Sequence, residues 1–119
     1  MPRILVIDDE AAIRGLLRVL LERAGYDVVD AANGQEGLCI YGAAPTALVI
    51  TDLVMPGLEG LEVIRALHRA VPPALVIAIS GDPQALTSAR LLTPYTFAKP
   101  LPLRQVLATV QALVATPHG

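Results

Sequence analysis

Ile4-Leu5-Val6-Ile7-Asp8-Asp9-Glu10 is the stretch whose reading decides the fold. Its four apolar residues show no polar alternation and are mostly β-branched. Such a run reads as a strand covered on both faces, which is the habit of parallel sheets packed between helices. Three acids then end it abruptly. The run is too short for the apolar core of a signal peptide, and no small-residue cleavage site follows. No other run approaches membrane-spanning length.

Working outward, Ala47 to Ile50 and Ala74 to Ile79 read as strands of the same kind, and Tyr26 to Val29 and Tyr95 to Ala98 as weaker ones nearer the sheet edges. Between them lie segments of helical period. Ile13, Leu16, Leu17, Leu20, Leu21 and Ala24 form the first, closed by Gly25. Gly34 to Tyr41 gives a second, and Leu61, Ile64, Leu67 and Val71 a third, stopped by Pro72-Pro73. Gln84 to Leu92 fits a poorer fourth; Leu103, Val106, Leu107, Val110, Leu113 and Val114 form a fifth, with Pro102 suited to its first turn. Strand and helix alternate five times. Right-handed crossovers turn that order into a (βα)5 α/β domain with helices on both faces of a parallel sheet.

The bulk numbers agree with one domain. A chain of 119 residues with 54% apolar content has material for a single core. A net charge of -2 gives no electrostatic reason to expect nucleic-acid binding. Cys39 is the only cysteine, which excludes a disulfide framework and a thiolate metal site within one chain, and suits a reducing, cytoplasmic setting. His68 and His118 have no companions and read as surface residues, and Cys39 as small helix packing.

Ligands of such folds bind beyond the carboxyl ends of the strands. The first strand is followed there by Asp8 and Asp9, the third by Asp52, the fourth by Ser80, Gly81 and Asp82, and the fifth by Lys99 and Pro100. Each has a plain alternative. Asp8 or Asp9 could cap the helix near Ala11, Asp52 could serve the turn Met55-Pro56-Gly57, Ser80-Gly81-Asp82-Pro83 is turn-like, and Lys99 could be a solvated charge. Together they say more. Three carboxylates at one sheet edge repel one another unless a cation sits among them. Mg²⁺ suits carboxylate and carbonyl oxygens with waters. Lys99 is the only lysine in the chain, a flexible point charge fit for a phosphoryl oxygen.

On Ile7-Asp8-Asp9-Glu10, Asp52-Leu53-Val54-Met55-Pro56-Gly57, Ser80 and Lys99-Pro100, the whole chain resembles the receiver domain of two-component response regulators. The resemblance implies the flavodoxin-like strand order 2-1-3-4-5. It implies Asp52 as phosphoacceptor, Ser80 and Lys99 as partners of the phosphoryl group, and Lys99 as partner of Asp52 beforehand. It implies a Mg²⁺ site (Mn²⁺ could substitute) made by Asp8, Asp9, Asp52 and the backbone carbonyl of Val54. It also implies a cis Lys99-Pro100 bond. The phosphodonor would be a histidine kinase or histidine phosphotransfer protein. The downstream protein partner is not encoded, and no nucleic-acid or membrane partner is expected. The chain would be a cytoplasmic signalling phosphoacceptor rather than an enzyme, one receiver domain over residues 1–119 with no output domain.

The sequence departs from the family pattern in two places. Thr96 stands three before Lys99, where many receivers carry an aromatic switch residue, and Tyr95 and Phe97 alternate onto the opposite face. The stretch from Ser80 to Lys99 is short and bounded by Pro83 and Pro94, so its helix should be short or irregular. The fifth helix carries Arg104 alone, which argues against a dimer built on its ion pairs. Arg14 and Arg18 form a candidate docking face for the phosphodonor; the plain alternative is a solvated face with a Glu10–Arg14 pair. Two other functions use similar parts. A pseudo-receiver should lack pocket groups that this chain keeps. An aspartate-nucleophile Mg²⁺ phosphatase should carry a second aspartate two after the nucleophile, where Val54 stands.

Overall fold

The computed structural model describes residues 2–55, 57 and 60–114; Pro56 of the expected turn, His118 and the tail from 115 lie outside them. The elements run β1 Arg3–Ile7, α1 Ala11–Arg23, β2 Asp27–Ala31, α2 Gly34–Ala43, β3 Leu48–Asp52, α3 Gly60–Arg69, β4 Val76–Ser80, α4 Pro83–Ala89, β5 Thr96–Ala98 and α5 Leu103–Leu113. All five strands are parallel, in the order β2-β1-β3-β4-β5. Strand alternation divides the core in two. Leu5, Ile7 and Val49 pack toward α2, α3 and α4, while Ile4, Val6 and Ile50 pack toward α1 and α5. β3 and β4 are buried at every position, which is why they carry no polar alternation.

The first helix ends as Gly25 directs. Its φ of 98° lets the Gly25 and Tyr26 N–H groups return to the carbonyls of Glu22 and Leu21. Tyr26 then drops into the α1/α5 core and donates its hydroxyl to the Val114 carbonyl at 2.7 Å; burial raises its pKa.

Several boundaries move from the expected ones. The second strand is Asp27–Ala31 rather than Tyr26 to Val29, because the edge strand tolerates Asp30. The fourth helix spans seven residues, with Pro83 inside its first turn and the Asp82 side chain accepting from the Gln84 N–H at 3.0 Å. It stops before Leu92 because Thr93 turns the chain back, donating its hydroxyl to the Val76 carbonyl at 2.7 Å. Cys39 is exposed on α2 rather than packed, and His68 is exposed as expected. No helix among the described residues is long and apolar enough to cross a membrane.

Candidate functional site

The hydrogen-bond ladder of the sheet runs one step past the strand ends into the loops that carry the polar groups. The Asp8 N–H donates to the Ala31 carbonyl at 3.1 Å, the Leu53 N–H to the Ile79 carbonyl at 3.1 Å, and the Lys99 N–H to the Ser80 carbonyl at 2.9 Å. The sheet itself thereby sets where Asp8, Asp52 and Lys99 begin. Their side chains converge above its carboxyl edge. The Lys99 ammonium lies 3.0 Å from Asp8 Oδ2, 3.0 Å from Glu10 Oε1 and 3.4 Å from Asp52 Oδ2.

The carboxylates differ in surroundings. Asp8 and Asp52 are buried, whereas Asp9 and Glu10 are exposed. Asp8 Oδ1 accepts from the Glu10 N–H at 2.9 Å, so Asp8 closes a turn instead of capping α1. Glu10 holds the cap position with no side-chain cap bond. Asp8 Oδ2 is buried and accepts no hydrogen bond; the ammonium beside it lies off the bonding direction, so that contact is coulombic. Asp52 Oδ1 accepts from the Leu53 N–H at 2.8 Å and the Val54 N–H at 3.4 Å, leaving Oδ2 turned toward Lys99. Asp8, Asp9, Glu10 and Asp52 each bring one oxygen within 4.8 Å of the others. A buried oxygen that accepts no hydrogen bond, inside an all-oxygen set, fits a hard divalent cation.

Burial raises the pKa of Asp52, the charge of Asp8 raises it further, and Lys99 and the Val54 N–H pull it back. Burial would lower the pKa of Lys99, but its contacts with Glu10 and Asp8 and the charges of Asp52 and Asp8 hold it well above the ordinary lysine range. Lys99 therefore remains charged at any ordinary pH.

A cavity of about 340 Å³ opens over this cluster, lined by Glu10, Asp52, Val54, Ser80, Asp82 and Lys99. Ser80 is buried, and its hydroxyl oxygen accepts from the Asp82 N–H at 3.0 Å. All five side chains singled out in the sequence thus stand at this edge, with Val54 on the cavity wall. The Glu10–Arg14 pair, offered as the plain alternative to a docking face, does not form. Glu10 precedes the helix with extended backbone, so the i, i+4 relation does not apply, and it turns to Lys99. Arg14 instead donates to the Asp8 carbonyl at 2.6 Å, and Arg18 to the Val28 carbonyl at 2.9 Å, with Asp30 beside both guanidinium groups. Thr96 accepts from Arg90 Nε at 3.4 Å, while Tyr95 and Phe97 pack against the α1/α5 core. The Lys99–Pro100 bond is cis, as the resemblance implies.

The comparisons with known proteins agree with this geometry. Residues 4–111 match the model of the response regulator receiver domain. The transcriptional regulatory protein ResD of Bacillus subtilis is 37% identical over 94% of this chain and 48% of its own length. The probable transcriptional regulator ycf27 of Porphyridium aerugineum is 36% identical, with the same coverage. The chain thus spans about half the length of the curated relatives it matches. Among solved structures, the response regulator TrrA of Thermotoga maritima in complex with Mg²⁺-BeF superposes with a TM-score of 0.88 at 31% identity, covering 96% of this chain and 100% of that one. The chemotaxis protein CheY4 of Vibrio cholerae superposes at 0.85 with 25% identity, covering 96% and 99%. This chain belongs to the response regulator receiver domain family of two-component systems.

Proposed function

We propose that Asp52 accepts a phosphoryl group from a phosphohistidine of a histidine kinase or histidine phosphotransfer protein, and that the modified pocket switches a partner-binding surface. One observation carries this reading: the Lys99 ammonium and Oδ2 of a buried Asp52, the oxygen that takes no backbone N–H, meet across 3.4 Å at the floor of an open cavity. Asp8, Asp9 and Asp52, with the Val54 carbonyl, would hold Mg²⁺, and Asp8 Oδ2 is the oxygen most in need of it. When bound, that ion supplies positive charge against the phosphoryl oxygens. The Mg²⁺-BeF complex of the related TrrA supports this choice of ion.

The chain's own groups then do the rest. An oxygen of Asp52 forms a bond to phosphorus as the bond from phosphorus to the donor imidazole nitrogen breaks. The imidazole leaves with its electron pair and takes a proton from water. Two backbone N–H groups fix Oδ1, so the carboxylate is aimed before the donor arrives. Lys99 meets the charge on the transferring group, and the Ser80 hydroxyl, on the same cavity wall, donates to a phosphoryl oxygen. Drawing Ser80 inward pulls on Asp82 and the start of α4, since the Asp82 N–H is bonded to the Ser80 hydroxyl and Asp82 caps that helix. The α4 and β5 region is therefore the surface that would respond.

Incubation with acetyl phosphate and Mg²⁺, followed by intact mass, tests the reading. A gain of one phosphate in the wild type, absent in Asp52→Asn, is expected. A wild type that gains none, or an Asp52→Asn variant that gains as much, would overturn it.

A further inference from the structure

We propose that Glu10 is a positioning residue for Lys99: its carboxylate clasps the ammonium on the solvent side of the pocket, and that clasp opens when Lys99 turns to a phosphoryl group on Asp52. The inference rests on the reading of Asp52 as phosphoacceptor and adds a control on the same site. Lys99 makes an aligned hydrogen bond to Glu10 at 3.0 Å, shorter than its 3.4 Å bond to Asp52. Its 3.0 Å approach to Asp8 is not a hydrogen bond. Glu10 is thus the best-formed partner of the chain's one lysine, although it is the loosest of the three. Its side chain is 59% exposed, against 0% for Asp8 and 5% for Asp52.

The backbone explains why Glu10 is available. It occupies the cap position of α1 with φ -88° and ψ 111°, yet its carboxylate makes no cap bond. Its N–H is held by Asp8 Oδ1, which fixes the stem while the carboxylate reaches across the pocket mouth. Asp8 and Asp52 are walled in and cannot follow Lys99 if it moves. Glu10 can release it at little cost, because water replaces an exposed partner easily.

The chain's single lysine makes the test direct. In the full chain labelled with ¹⁵N-lysine, one Nζ signal reports Lys99. It is recorded with EDTA for the wild type, Glu10→Gln and Glu10→Asp, with circular dichroism to confirm folding. Both variants should shift this signal and speed exchange of the ammonium protons with water. Both should also take phosphate from acetyl phosphate about two- to fivefold faster, the range expected for loss of an exposed ion pair.

Aspartate keeps the charge but is one methylene short of Lys99. Acceleration in Glu10→Gln alone would therefore mean simple repulsion of the donor, and would overturn the clasp. A Lys99 signal unmoved by both variants would overturn it as well. A wild type that takes no phosphate sinks the acceptor reading, and the Nζ signal still decides whether Glu10 holds Lys99.

Discussion

Replacing Lys99 by methionine keeps most of the apolar stem of the side chain and removes the ammonium, with its charge and its hydrogen bonds to Glu10 and Asp52. Asp8 and Asp52 are buried, and among the described residues no other cation contacts either carboxylate. Breaking a buried ion pair by removing one partner costs about 3–5 kcal/mol. The cost has a ceiling, because a stranded carboxylate can take up a proton. An aspartate of the unfolded chain titrates near 3.9, and each pH unit above that adds about 1.4 kcal/mol, so protonation of one carboxylate at pH 7 caps the loss at about 4 kcal/mol. We expect Lys99→Met to lose about 3 kcal/mol at pH 7 in EDTA, within that ceiling. The deficit should shrink to about 1 kcal/mol near pH 4.5, where protonation is nearly free. A divalent cation at one hundred times its dissociation constant should return about 2.7 kcal/mol to any form that binds it. Urea melts followed by circular dichroism at both pH values, with and without Mg²⁺, measure all three. A variant as stable as the wild type at pH 7 in EDTA, or a deficit unchanged by pH, would refute the view that Lys99 neutralises these acids.

Two further outcomes follow from the same pocket and its floor. Because the pKa of Asp52 is raised on folding, the native state binds that proton more tightly than the unfolded chain. Its contribution is favourable below the ordinary carboxylate range and is lost as pH rises through the raised value. Asp52→Asn in EDTA should therefore be more stable than the wild type at pH 7, with the gap closing as pH falls toward 4; paired urea melts would show the opposite sign if burial were not the dominant cause. Gly60→Ala places a methyl group against the backbone of Leu53, which cannot turn aside as a side chain could. It should destabilise the chain by about 1–3 kcal/mol and slow phosphorylation at the adjacent Asp52, readable by thermal melts and intact mass; a neutral variant would show that the loop yields.

Much of the fold was legible because the central strands obey a simple rule. Buried on both faces, the middles of β1, β3 and β4 are apolar runs, and they announce themselves ahead of the polar residues at the carboxyl ends. The edge strand β2 was harder. Asp30 reads as a strand end, yet its carboxylate lies beside Arg14 and Arg18, a pairing no local pattern reveals. The end of α4 was missed because a tertiary bond from Thr93, not a helix breaker, turns the chain. In the candidate site, the gathering of Asp8, Asp9, Asp52, Ser80 and Lys99 at one sheet edge was readable from their places after successive strands. Glu10 was not. Its role depends on an extended residue standing just before a helix, where spacing rules for helices give the wrong partner. The signal was present in the run of three acids, of which only two had been assigned to the pocket.

The rungs that carry the sheet ladder past the strand ends have a bearing on how this chain tolerates change. Lys99 takes its place from the neighbouring strand through the Ser80 carbonyl, and owes little to the path that leads to it. The connection between those two residues holds a helix of only seven residues, and the ammonium still reaches both buried acids. Variation in that connection falls on the side of α4 that faces outward, and the ion pairs of Lys99 with Asp8 and Asp52 form beneath it.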